Sequence, residues 1–206
     1  KLSLDDRIKL TGDKIYGQPT PATHPHILKQ NEIVQGISLD EIVNRRQELM
    51  ETIKAYSHVN HPTFKNHLIV IPSASKKYIS ASIPYVFRQN TDFLYFSGCL
   101  ENDSILVLEV TEKRMKSILF LRPKDKHQEM WDGPRTGHEN APELFAVDEA
   151  NVIQNFQSYV DSFRNQVGSL VWYDERNSDQ KHLNEIVHPI DTASIDNPTK
   201  FIHSLR

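Results

Sequence analysis

His67-Leu-Ile-Val-Ile71, closed by Pro72, is the stretch on which the fold turns. Four consecutive apolar side chains, three of them branched, read as a buried strand, and the proline stops it because it offers no N–H to a neighbouring strand. Working outward, Ser104–Val110 and Lys116–Leu121 have the same character, and Phe93–Phe96 is a shorter candidate. A turn around Gly98 and Asn102-Asp103 separates Phe93–Phe96 from Ser104–Val110, and Pro123 ends Lys116–Leu121. Neighbouring strands with short links predict an antiparallel meander. Lys77–Ser80 reads as a further short strand.

Upstream, Ser38 is placed to cap a helix and Glu41, three residues on, completes a capping box. Leu39, Ile42, Val43, Leu49, Met50 and Ile53 then recur at helical spacing, which predicts a helix over Leu39–Tyr56. Downstream, Val152, Ile153, Phe156, Tyr159, Val160 and Phe163 predict a helix over Ala150–Phe163. Ser169–Tyr173 reads as a strand and Asp179–Val187 as a short helix. Helices and strands mix along the chain, so α/β or α+β is the expected class, and mixed α/β is the fold class taken here.

Residues 1–36 form an extended arm, because Pro19, Pro21 and Pro25 break any helix and apolar periodicity is lacking. Little apolar surface there offsets the entropy of ordering, so the arm is expected to be disordered or loosely docked. Residues 37–196 are the α/β domain. Residues 197–206 begin a further helix, with Asn197 as cap and Pro198 in its first turn, pointing toward a domain beyond Arg206.

The 206 residues carry 24 Lys and Arg against 27 Asp and Glu, a net charge of −3, so no cationic footprint for nucleic acid or an anionic membrane is present. No apolar run approaches the roughly 20 residues that span a bilayer. Nucleic acid and membrane are therefore not expected partners. Cys99 is the only cysteine, which excludes an internal disulfide and a Cys-cluster zinc site.

Ten histidines invite a metal reading. A metal site needs three or four converging ligands, yet there is no His-Glu-x-x-His and no cysteine cluster. Each histidine is read as a surface or hydrogen-bonded residue. No nucleophile elbow, phosphate-binding loop or dinucleotide fingerprint occurs, although residue order alone leaves a Ser/His/Asp triad open. Cys99, beside Gly98 in apolar surroundings, reads as a small buried residue.

Asp125–Pro142 is expected to be a surface loop with a function. Within it, Glu129-Met-Trp-Asp-Gly-Pro-Arg-Thr-Gly137 admits two readings. Trp131 and Arg135 are displayed for recognition, or Trp131 packs beneath the loop and Arg135 pairs with Asp132.

Several stretches resemble, in order, the aminopeptidase P family, and most of all its mitochondrial branch. They are Gly17-Gln-Pro-Thr-Pro-Ala-Thr-His-Pro-His26, Ile83-Pro-Tyr-Val-Phe-Arg-Gln-Asn90, Thr91-Asp-Phe-Leu-Tyr-Phe-Ser-Gly98, Asp103-Ser-Ile-Leu-Val-Leu108, Trp131-Asp-Gly-Pro-Arg-Thr-Gly137, Val147-Asp-Glu-Ala150 and Val171-Trp-Tyr-Asp174. The resemblance implies a creatinase-type N-terminal domain, a mixed sheet flanked by helices, without catalytic or metal-binding residues of its own.

It further implies a C-terminal catalytic domain with two divalent metal ions, usually manganese, on two Asp, one His and two Glu beyond Arg206. Such enzymes release an N-terminal residue that precedes proline, and metal-activated water attacks the scissile carbonyl. The N-terminal domain's implied role is association into a homo-oligomer and shaping of the substrate cleft. Asp92, Phe93, Leu94, Tyr95, Trp131 and Arg135 are the expected cleft or subunit contacts, with Leu94 at a position read as tryptophan in relatives. The implied partners are the catalytic domain, further copies of the chain, and peptides with proline in second place. The implied location is the mitochondrion, with the cytoplasm as alternative. A competing reading is a stand-alone binding module or pseudoenzyme; a third is an unrelated hydrolase.

Overall fold

Alternation along five strands accounts for most of the architecture in the computed structural model, which describes residues 14, 16–81, 83–174, 183, 186 and 187. In chain order the elements are β1 (Glu32–Val34), β2 (Ile37–Ser38), α1 (Leu39–Asn60), β3 (Asn66–Pro72), β4 (Tyr78–Ser80), β5 (Ile83–Pro84), α2 (Thr91–Ser97), β6 (Ile105–Val110), β7 (Met115–Leu121), α3 (Lys126–Asp132), α4 (Ala141–Phe145), β8 (Glu149–Val152), α5 (Phe156–Arg164) and β9 (Ser169–Tyr173). The main sheet has the order β8-β7-β6-β3-β9. Its β3/β6 and β6/β7 pairs are antiparallel, and its β3/β9 and β7/β8 pairs are parallel. The sheet is therefore mixed, and β3 lies next to β6.

Both faces of this sheet are covered, which is why its strands read as continuous apolar runs. Ile69, Ile71, Leu106, Leu108, Leu119, Leu121, Leu170 and Trp172 point to one face and pack with Ile42, Leu49 and Ile53 of α1 and Phe93 and Phe96 of α2. Leu68, Val70, Ile105, Val107, Ile118 and Phe120 point to the other face and meet Phe156, Val160 and Phe163 of α5. The result is a mixed sheet with helices on both faces, as the family resemblance implies.

Helix α1 begins where the capping box places it: the Ser38 hydroxyl accepts the Glu41 N–H at 3.2 Å. It runs four residues beyond Tyr56, to Asn60. Arg46 on α1 is 2% exposed and donates to the carbonyls of Phe96, Phe145 and Ala146, joining α1 to the ends of α2 and α4.

The expected strand at Phe93–Phe96 is a helix. Asn90 caps it by accepting from the N–H groups of Asp92 and Phe93, and Gly98 ends it with φ 66°. Those two caps outweigh the strand preference of the aromatic residues between them. The meander's third strand is consequently β3. The expected loop over Asp125–Pro142 holds α3, capped by Asp125, and opens α4. The helix expected from Ala150 starts at Phe156, because Glu149–Val152 pairs in parallel with β7.

The arm is docked where it is described. Tyr16, Leu28 and Ile33 are buried, and Gln18 holds the chain by accepting the Leu100 N–H at 2.8 Å and donating to the Gly98 carbonyl at 3.1 Å. The helix expected over Asp179–Val187 lies mostly outside the described residues, and 197–206 lies wholly outside them.

Candidate functional site

The Trp131 loop starts from a locked base. Arg135 is 4% exposed. Its Nη1 donates to the Pro123 carbonyl at 2.7 Å, its Nη2 donates to the Gln128 side-chain oxygen, and its backbone N–H reaches Glu129 Oε1 at 2.8 Å. One residue on, the Thr136 N–H donates to Glu101 Oε1 at 2.9 Å, while its hydroxyl accepts the Gly17 N–H at 3.0 Å. A Cβ at position 17 would stand 2.4 Å from Glu101 Oε1, so glycine is the residue that lets the arm close on this node. Arg122 stands beside it, donating to Asn102 Oδ1 at 2.6 Å. Burial lowers the Arg122 pKa, and the neighbouring Arg135 charge adds to that.

Above this base, α3 contributes no buried residue at all. Asp125 caps it, and its carboxyl pKa is lowered chiefly by the Gln128 N–H it accepts. Met130 and Trp131 stand 75% and 79% exposed. Asp132 pairs with Lys76 at 2.9 Å rather than with Arg135, and that hydrogen bond is the main cause of its lowered pKa. Of the two sequence readings, the packed-under one is thus excluded: Trp131 is displayed, and Arg135 is the strut beneath it.

The other predicted residues lie in a different environment. Asp92 is buried in the first turn of α2, and Phe93 is wholly buried in the core. Leu94 and Tyr95 are half-buried. The Arg45 guanidinium lies 4.0 Å over the Tyr95 ring and donates to the Tyr95 carbonyl. Asp92 and Phe93 are packed within the fold, while Trp131, like Tyr78 and Tyr85, is an aromatic side chain open to solvent.

Sequence reasoning found one strand of the neighbouring hairpin, Lys77–Ser80, and missed its partner β5 and the exposure of both. β4 and β5 pair only with each other, and Tyr78, Ile79, Ile83, Tyr85 and Val86 are all exposed. A cleft of about 300 Å³ opens beside it, between Ala74-Ser75 and the 85–90 segment. The available signal was a cluster of apolar residues, Tyr78 to Val86, that matches no core-facing period.

The described residues offer little chemistry of their own. No three His, Cys, Asp or Glu side chains among them are arranged to hold a metal ion, so two catalytic metals do not fit the described part of this chain. Cys99 is fully buried, and burial pushes its thiol pKa well up, which disfavours a nucleophilic thiolate. Among the described residues no helix is long and apolar enough to cross a membrane.

Residues 42–172 match the family described as aminopeptidase P, N-terminal domain. A protein named Xaa-Pro aminopeptidase 3 from Mus musculus is 37% identical over 171 residues, covering 81% of this chain and 33% of that protein. Intermediate cleaving peptidase 55, mitochondrial, from Arabidopsis thaliana is 31% identical over 169 residues, 82% of this chain and 31% of its own length. A solved structure of an Escherichia coli aminopeptidase P variant superimposes with a TM-score of 0.68 at 26% identity, covering 82% of this chain and 39% of that one. The chain thus spans about a third of the length of the curated relatives it matches. With the mixed sheet, the helical layers and the matched residues in agreement, this chain belongs to the aminopeptidase P family and corresponds to its N-terminal domain.

Proposed function

We propose that this chain is the non-catalytic N-terminal domain of an Xaa-Pro aminopeptidase, and that it shapes the peptide cleft and supports assembly of the enzyme. The family match over 42–172 carries this reading. One further fact supports it: Trp131 is displayed above a hydrogen-bonded base. In this reading the divalent metal ions, expected to be manganese, and the residues that do hydrolysis belong to the catalytic part outside this chain. The substrates are peptides with proline in second place. A flat, exposed indole suits one wall of a cleft for a proline ring, since tryptophan offers a large apolar face at low entropic cost. The Arabidopsis relative is named as mitochondrial, and the mitochondrion is the location we propose here.

The test separates the two parts of the protein. The 206-residue chain, purified alone, is expected to contain no stoichiometric manganese or zinc and to leave an Ala-Pro-Ala peptide intact. The full-length protein is expected to release the first alanine and to lose activity with chelator. Chelator-sensitive turnover by the 206-residue chain would overturn the assignment.

A further inference from the structure

The arm clasps three parts of the domain that lie far apart in sequence. Lys14 Nζ pairs with Glu143 of α4 at 2.8 Å. The Gly17 N–H reaches the Thr136 hydroxyl at 3.0 Å, at the end of the Trp131 loop. Gln18, itself buried, accepts the Leu100 N–H at 2.8 Å and donates to the carbonyls of Gly98 and Ile33 at 3.1 and 3.4 Å. Ile33 in turn packs against Gly98, where a Cβ would come within 2.9 Å of Ile33 Cγ2.

The second of these contacts leads to Trp131. The Thr136 N–H is held by Glu101 Oε1 at 2.9 Å, and the adjoining Arg135 N–H by Glu129 Oε1 at 2.8 Å. The Arg135 guanidinium also donates to Gln128. A hydrogen-bonded path therefore runs from Gly17 through Thr136 and Arg135 to Gln128 and Glu129 on α3, the helix that carries Trp131. That helix has seven residues and buries none of them. Isolated helices shorter than about 12–15 residues are marginal in water, so α3 depends on such ties rather than on packing.

Position 17 tolerates no side chain here. An added Cβ would overlap the Glu101 carboxylate, and Glu101 can retreat only by releasing the Thr136 N–H. Whichever side gives, the link between arm and loop opens. Thr136 is fully buried, so its hydroxyl has no water to replace the Gly17 N–H at that position.

From these observations we infer that the arm is a strap whose docking positions the Trp131 loop, with Gly17, Glu101 and Thr136 as positioning residues that act through Arg135 and α3. The inference rests on the reading of Trp131 as a wall of the peptide cleft, and deepens it: that wall is set only while the arm is docked.

Hydrogen exchange on the full-length protein tests this with two variants, Gly17→Val and Thr136→Val. The second keeps the shape of a buried side chain and removes the acceptor of the Gly17 N–H. Each is expected to speed exchange over 128–136 about tenfold while β3 and β6 keep wild-type protection, the pattern of a local opening. Coupling between two sites is reciprocal, so Thr136→Val should also speed tryptic cleavage after Lys14 by about tenfold. Kinetics then reads the cleft. Gly17→Val should raise KM for an Ala-Pro-Ala peptide about threefold with kcat nearly unchanged, and that rise should vanish in a Trp131→Ala background. Wild-type exchange over 128–136 in both variants overturns the inference. So does a loss of protection that spreads equally to β3 and β6, since it assigns these residues to overall stability. Faster exchange in the loop with wild-type KM supports the strap and counts instead against Trp131 as a cleft wall, so the two failures are distinguishable.

Discussion

The chain has two tryptophans, and they occupy opposite environments. Trp172, on β9, is 2% exposed. Its Nε1–H donates to His67 Nδ1 at 3.3 Å, and Tyr56 and His61 meet its ring edge-on. Trp131, on α3, is 79% exposed on a helix that buries nothing. The first satisfies both halves of an indole, the apolar body and the polar N–H, inside the fold. The second leaves the apolar body in water above a base whose every strut is polar. A large aromatic side chain left in water is open to contacts outside the domain, and the difference between the two tryptophans is testable.

Truncating the two should break the symmetry between them. Trp172→Ala opens a cavity in the core and strands His67, so it should destabilise by about 3–5 kcal/mol. Chemical denaturation of the 206-residue chain measures this, and a loss under about 1 kcal/mol would show that Trp172 is not a core anchor.

His67 sharpens the same side of the comparison. It is 3% exposed, and burial lowers its pKa to about 4, with the His61 charge adding to the effect. The unfolded imidazole takes a proton near pH 6.5, whereas the folded one resists until about pH 4. Stability is therefore full above pH 6.5 and declines as pH falls from 6.5 toward 4, by up to about 3 kcal/mol. The variant His67→Gln, which keeps an acceptor for Trp172, should flatten that acid slope. A slope identical to wild type would assign the acid sensitivity elsewhere.

The base of the tip comes next. Arg135→Ala removes the donors to the half-buried Pro123 carbonyl and to the exposed Gln128 side chain, at a cost of about 1 kcal/mol. Hydrogen exchange should report faster opening over 125–137. Unchanged protection there would mean that Arg135 does not hold the loop.

How far these two regions were legible follows from their physics. The Trp172 side announced itself: β3 and β9 are apolar runs bounded by turn formers, and the helix facing them carries its cap and stripe in plain sequence. α2 was misread because its centre, Phe93–Phe96, is aromatic and apolar, and Asn90 and Gly98 at its ends betray the helix. β8 was misread because Val152 and Ile153 continue the stripe of α5 across a change of structure. The docked arm was invisible to periodicity, since Gly17 and Gln18 hold it through hydrogen bonds to Thr136, Gly98 and Leu100. The Trp131 loop stayed ambiguous because its outcome depends on Lys76, distant in sequence, taking Asp132 away from Arg135.

The smallest effect on stability belongs to Trp131, and it is joined to the central claim. Trp131→Ala should change the domain's stability by less than about 0.5 kcal/mol, because the side chain is already in water. In the full-length protein the same substitution should lower kcat/KM for Xaa-Pro peptides at least tenfold, a loss of about 1.4 kcal/mol of transition-state stabilisation. Steady-state kinetics of this variant, with its melting temperature and metal content held to wild type, is the direct measurement. A tenfold fall with an intact fold is the predicted result; kinetics equal to wild type would contradict a cleft-shaping role for this domain.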